Sequence, residues 1–219
     1  MGDIMPPKPK YKKEEIVAAA YRLMKEKGID GVVAREVGKC LGTTTAPIFT
    51  YFNGMDELKA EVYHMASTNC YEYLKESAEY FPAFKEFGMR WIRFAKENPR
   101  VYELLFLTGN EKMQVMGFIN EDFEDLIKVM RGELERTFDI PGDEADRLIK
   151  DMCMYAQGIA AICVNGIGDF TEEEISESIS RICLSRVLGY QFMNGAVEEE
   201  KMRGMMSHMK ALPHKKQEN

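Results

Sequence analysis

The 219-residue chain has no apolar run approaching the roughly 20 residues that cross a bilayer. No apolar stretch of signal-peptide type follows its charged N-terminus, so the expectation is a cytoplasmic protein with no membrane partner. Cysteine is scarce: Cys40, Cys70, Cys153, Cys163 and Cys183 are odd in number, and none forms a CxxC pair. That usage suits a reduced compartment and argues against a disulfide framework. GxSxG, HExxH, a phosphate-binding glycine loop and GxGxxG are all missing. The three histidines, His64, His208 and His214, are scattered rather than set at metal-ligand spacing. Neither enzyme activity, a cofactor nor a metal is therefore expected. Alternating strand patterns are lacking as well, and helical periodicity dominates.

The net charge of −7 by itself speaks against a nucleic-acid binder, but its distribution does not. Residues 1–52 carry nine Lys/Arg and six Asp/Glu, a local +3, while the remainder carries −10. A small basic head on an acidic body confines attraction for phosphate to one end.

The periodicity predicts an all-α fold of about nine to ten helices. A Pro- and Lys-bearing arm (1–11) precedes a first helix with apolar Ile16, Ala19, Ala20 and Leu23, ended by Gly28. A short second helix fits 33–41. Gly42 breaks it, and Thr43 or Thr44 can cap a brief third helix over about 45–50. Asn53 is the expected cap of a long fourth helix with an inner stripe of Leu58, Val62, Met65, Asn69 and Tyr73. A fifth helix ends at Asn98-Pro99 and a sixth runs to about Leu107. Turns at 109–110 and 139–142 flank a seventh, an unusually apolar eighth covers about 143–164, and a Thr171–Glu174 capping box opens the ninth. The last residues, 197–219, read as a frayed helix. The domain division that follows is a head over 1–54 and a larger helical body over 55–219.

Two short helices joined at Gly42 form a helix-turn-helix whose second helix can enter a major groove. Thr43, Thr44, Thr45, Ala46 and Pro47 are small or hydroxylated, which allows close backbone approach to DNA. Ile48, Phe49 and Phe52 are expected to anchor that helix against the first two.

The run Ile16-Val17-Ala18-Ala19, Gly28, Val37-Gly38, Leu41-Gly42-Thr43-Thr44, Ile48-Phe49-Thr50-Tyr51-Phe52 and Asp56-Glu57-Leu58 resembles the N-terminal domain of the TetR family of transcriptional regulators. The stretch from Trp91-Ile92-Arg93-Phe94 to Asn98-Pro99-Arg100-Val101-Tyr102 and Phe106 is similar to a segment of that family's C-terminal domains. The resemblance implies a homodimer on a double-stranded DNA operator, in most cases a repressor, released by a small-molecule effector. The chain departs from the pattern at four points. Val33 stands where the family has Thr or Ser, Ala46-Pro47 replaces a small-residue–Thr pair, Phe49 replaces Tyr, and Met55 replaces a frequent Lys. Fewer phosphate ligands remain, so Lys10, Lys12, Lys13, Arg35, Lys39 and Lys59 must supply the electrostatics. Thr43, Thr44, Thr45, Pro47, Thr50 and Tyr51 complete the expected DNA surface.

Two further sets belong to the body. Phe87, Trp91, Phe94, Tyr102, Phe106, Met113, Phe123, Met152, Tyr155 and Gln157 are candidates to line a pocket for a hydrophobic or aromatic effector. Ile159, Cys163, Ile179, Ile182 and Val187, on the broad apolar arcs of helices eight and nine, are candidates for the dimer interface, with Gly158, Ala160 and Ala161 permitting close approach. Two other functions fit the same fold. One is a redox-sensing regulator, although Cys153 and Cys163 would lie about 15 Å apart along one helix, too far to bridge. The other is a helical interaction protein without DNA binding.

Overall fold

In a computed structural model, the described residues are 11–107 and 123–194, with 200, 203–204, 207–208, 211 and 214–215. The expectations on Lys10, Met113, Gly109 and Asn110 lie outside them. Nine α-helices occur among the described residues: α1 Lys13–Lys27, α2 Ala34–Leu41, α3 Ala46–Tyr51, α4 Met55–Lys75, α5 Ala83–Glu97, α6 Pro99–Tyr102, α7 Glu124–Phe138, α8 Gly142–Val164 and α9 Glu172–Met193. The all-α class is as expected. A two-residue antiparallel pairing, Tyr80–Phe81 with His214–Lys215, is the one strand pairing among the described residues, too short to leave a period in the sequence. No described helix is long and apolar enough to cross a membrane.

The head forms because α1 buries Ile16, Val17, Ala19, Ala20, Leu23 and Met24 on one face. Ile48 and Phe52 pack into the same core with Val32 and Val37. Phe49, expected to join them, does not: it is 53% exposed. Ile48 and Phe52 are four residues apart and share a face, while residue 49 sits about 100° around the helix from 48.

α4 packs on both α1 and α5. Its cap also differs from expectation. Gly54 is the N-cap, and the Asn53 main-chain and side-chain amides both donate to Glu57 Oε2, at 2.7 and 2.9 Å. The buried stripe is Leu58, Val62, Ala66, Cys70 and Leu74, while Asn69 is exposed and Met65 and Tyr73 are only half-buried. Steps of four drift around a 3.6-residue helix, so the buried line winds from the α1 side to the α5 side.

α5 is the central helix of the body, packed against α8, α9, α4 and α7. Its polar groups are paired: the Glu133 carboxylate accepts from the Ala83 amide at 2.8 Å, Arg90 reaches Glu86 and Glu76 at 2.9 Å, and Arg93 holds Glu172 at 2.8 Å. The Thr171–Glu174 box forms as expected, Thr171 N donating to Glu174 Oε2 at 2.8 Å and Glu174 N to Thr171 Oγ1 at 3.2 Å. Because α5 lies against both α8 and α9, Ile159, Ile179 and Val187 turn inward and are buried within the single chain. Only Cys163 and Ile182 of the expected interface set are partly accessible. The outward faces of these helices hold Met154, Tyr155 and Gly158 on α8, and Gly189, Phe192 and Met193 on α9.

Candidate nucleic-acid interface

The turn between α2 and α3 depends on two glycines for different reasons. Gly42 takes the left-handed conformation, φ 66° and ψ 35°, which side-chain-bearing residues avoid. Its amide donates to Lys39 O at 3.0 Å, and the Thr43 amide donates to Gly38 O at 2.9 Å. These two bonds satisfy the last carbonyls of α2 in a Schellman arrangement. Gly38 permits the close approach itself: a Cβ there would lie 3.0 Å from Thr43 O and 3.1 Å from Thr44 O. Pro47 sits in the first turn of α3, where a missing N–H costs nothing. Thr45 is the N-cap without a side-chain cap bond, and Thr44 Oγ1 accepts from the Ala46 amide at 3.4 Å.

A pair of tyrosines clamps the unit. Tyr11 Oη donates to Leu41 O at 2.9 Å, and Tyr51 Oη donates to Tyr11 O at 2.8 Å. The segment entering α1 is thereby tied to the end of α2 and to α3. Tyr51, expected on the DNA surface, is half-buried with its hydroxyl committed to this clamp. Tyr11, assigned to the arm, is a structural member of the head. Neither bond has a sequence signal, since each joins residues at least 30 apart.

Thr44 and Thr50 are exposed; Thr43, Thr45 and Pro47 are half-exposed. The Thr50 hydroxyl donates to Ala46 O at 3.2 Å, one turn back. Phe49 and Val33 (44% exposed) add apolar surface to the same unit. Of the basic residues, Lys12 and Arg35 are exposed, and Lys59 is half-exposed. Lys13 pairs with Glu61 at 2.5 Å. Glu36 holds two lysines at once, Lys27 at 2.8 Å and Lys39 at 2.6 Å. Hydrogen bonds from Lys27 first and Lys39 second draw its carboxyl down to about 2. The Glu36–Lys39 half of this cluster is legible as an i,i+3 pair. Lys27, on another helix, is not.

In the body, Phe87, Trp91, Phe94, Tyr102, Phe106, Phe123 and Met152 are buried, as pocket or core residues would be. Trp91 and Tyr102 each stack on Phe106, with centroids 4.9 and 4.8 Å apart. Their polar tips converge: Trp91 Nε1 donates to Gln157 Oε1 at 3.1 Å, and Tyr102 Oη donates to the same oxygen. Burial raises the Tyr102 hydroxyl well above its ordinary value. Tyr155 does not join the group; it is 37% exposed on the outer face of α8. An open groove of about 390 Å³ lies elsewhere, between α1 and α4, lined by Lys13, Val17, Glu61, His64, Met65 and Asn69 among others. Burial pushes the thiols of Cys153 and Cys183 up to about 12 and raises Cys70 further, which suppresses the reactive thiolate. Of the five cysteines, Cys40 alone is exposed, and Cys163 is half-buried. Among the described residues, no three His, Cys, Asp or Glu are grouped to hold a metal.

Residues 16–62 match the family model described as bacterial regulatory proteins, tetR family. No curated protein and no solved structure matches the chain. The matched span runs from α1 through the turn and α3 into the first third of α4, the unit whose geometry is given above.

Proposed function

From the premise that this chain is a tetR-family, DNA-binding transcriptional regulator, we propose that it is a homodimeric repressor whose operator affinity is set by a small hydrophobic or aromatic effector. The observation that carries this is the α2–Gly42–α3 unit, with the turn presenting Thr44 and α3 presenting Phe49 and Thr50 outward on a basic head. The head comprises residues up to about 54, and the helices from α4 onward form the regulatory body.

One head makes few phosphate contacts, and affinity rises with the number neutralised. A two-fold partner presents a second head to a half-site about 34–36 Å away. The outer faces of α8 and α9 support that partner. Met154, Tyr155 and Gly158 on one helix, and Gly189, Phe192 and Met193 on the other, are accessible apolar or small positions. A Cβ at Gly158 or Gly189 would touch nothing within 4 Å, leaving room for a neighbouring helix. The interface thus moves outward from Ile159, Ile179 and Val187.

The effector reading is supported by the aromatic group around Trp91, whose polar tips close on Gln157. A ligand entering there exchanges those bonds for its own. Regulation needs only about 1.4 kcal/mol of differential binding for a tenfold change in operator affinity.

A gel shift on DNA flanking the gene, at two salt concentrations, tests the whole reading. Lys59→Ala should weaken binding to all sequences alike, whereas Thr45→Ala should change preference among them. Absence of binding above competitor DNA refutes the regulator, and a monomer by light scattering at micromolar concentration refutes the dimer. Because Trp91 is the chain's one tryptophan, its emission reports directly on effector entry.

A further inference from the structure

The turn and recognition helix, residues 43–52, contain no Arg, Lys, Asn, Gln, Asp, Glu or His. These are the side chains that read guanine, adenine or cytosine edges by hydrogen bonding in the major groove. The hydroxyls there are partly spent inside the protein: Thr50 on Ala46 O, Tyr51 on Tyr11 O. What α3 offers outward is apolar. Phe49 is 53% exposed, beside the exposed Ala46 and half-exposed Pro47, while its neighbours Ile48 and Phe52 fill the core. Within the chain, a phenyl ring held in water on a six-residue helix contributes little to folding.

In the major groove only thymine presents a methyl group, and apolar side chains, phenylalanine among them, are its ordinary partners. We propose that α3 reads its operator chiefly through thymine 5-methyl groups, with Phe49 as the principal contact. The inference rests on α3 being the recognition helix and adds what that helix recognises. It makes Phe49 the principal specificity-determining residue, beside the threonine hydroxyls, in place of the amide, carboxylate and cationic side chains this segment lacks.

The test uses the full-length protein and its operator, located by footprinting upstream of its own gene. Duplexes with deoxyuridine in place of thymine, first throughout the footprint and then singly, remove the methyl and leave base pairing intact. Each contacted methyl should cost about fourfold in affinity, from the transfer value of one buried carbon group at tenfold per 1.4 kcal/mol. Phe49→Ala, a surface change that leaves the core untouched, should weaken binding to the thymine duplex and erase the thymine–deoxyuridine difference. A cytosine in the half-site converted to 5-methylcytosine beside Phe49 should regain affinity. Tight binding of both duplexes with no difference overturns methyl readout while leaving the regulator intact. A thymine–deoxyuridine difference that survives Phe49→Ala overturns the role of Phe49. Failure of the unmodified operator to bind above competitor DNA sinks the recognition helix and this inference together.

Discussion

Gly42→Ala isolates the conformational strain at the helix-turn-helix from every packing effect. A Cβ at Gly42 would meet nothing within 4 Å, so any cost comes from the backbone alone. With φ at 66° and ψ at 35°, alanine pays about 1–2 kcal/mol for the left-handed conformation. Removing a glycine also narrows the unfolded ensemble, which offsets about 0.4–1 kcal/mol. The net loss is roughly 1 kcal/mol, a fall of about 2–4 °C in the melting midpoint for a chain of this size. Gly42→Asn should recover part of that loss, since asparagine tolerates this region better. Operator affinity of the folded protein should fall by no more than about fivefold, because 1.4 kcal/mol corresponds to tenfold. Gly38→Ala is the contrasting case, with its Cβ forced to 3.0 Å from the Thr43 carbonyl oxygen. That strain is steric, so Gly38→Asn should be worse than Gly38→Ala. Thermal unfolding and gel shifts on the four variants check the pattern. An unchanged or raised midpoint for Gly42→Ala, or no advantage of Asn over Ala at position 42, refutes the reasoning.

Two other outcomes follow from buried or paired charges. Glu36→Gln should release Lys27 and Lys39, raising affinity for DNA of any sequence and steepening its salt dependence, as read by competition gel shifts at several ionic strengths. Its carboxyl is depressed from 4.5 to about 2, so the stabilisation it gives is complete above pH 4.5 and fades toward pH 2; the Gln variant should lack that part of the acid sensitivity. Lys85 is fully buried, with Nζ donating to Ala211 O at 2.5 Å, and burial pushes it down from 10.5 to about 8. A lowered lysine value penalises the native state below pH 8 and relieves it as pH climbs from 8 to 10.5. Wild type should therefore gain stability relative to Lys85→Met across that window, and a difference that stays flat in denaturant titrations contradicts it.

What the amino-acid order determined by itself is what local chemistry specifies. Gly42 had to end a helix, Pro47 had to sit in a first turn, and Thr171 with Glu174 had to cap α9; each depends on neighbours within four residues. The helical class, the turn unit and the family resemblance were legible for the same reason. Tertiary structure decided which element covers each apolar face. Periodicity places Ile159, Ile179 and Val187 on broad apolar arcs, but only the position of α5 turns them inward and leaves Phe192 to solvent. It also decided the charges, since Glu36 meets Lys27 only because α1 and α2 cross. Phe49 is the same lesson on one helix. Its apolar character is written in the chain, but α1 and α2 hold the face of Ile48 and Phe52, and the ring left over points outward.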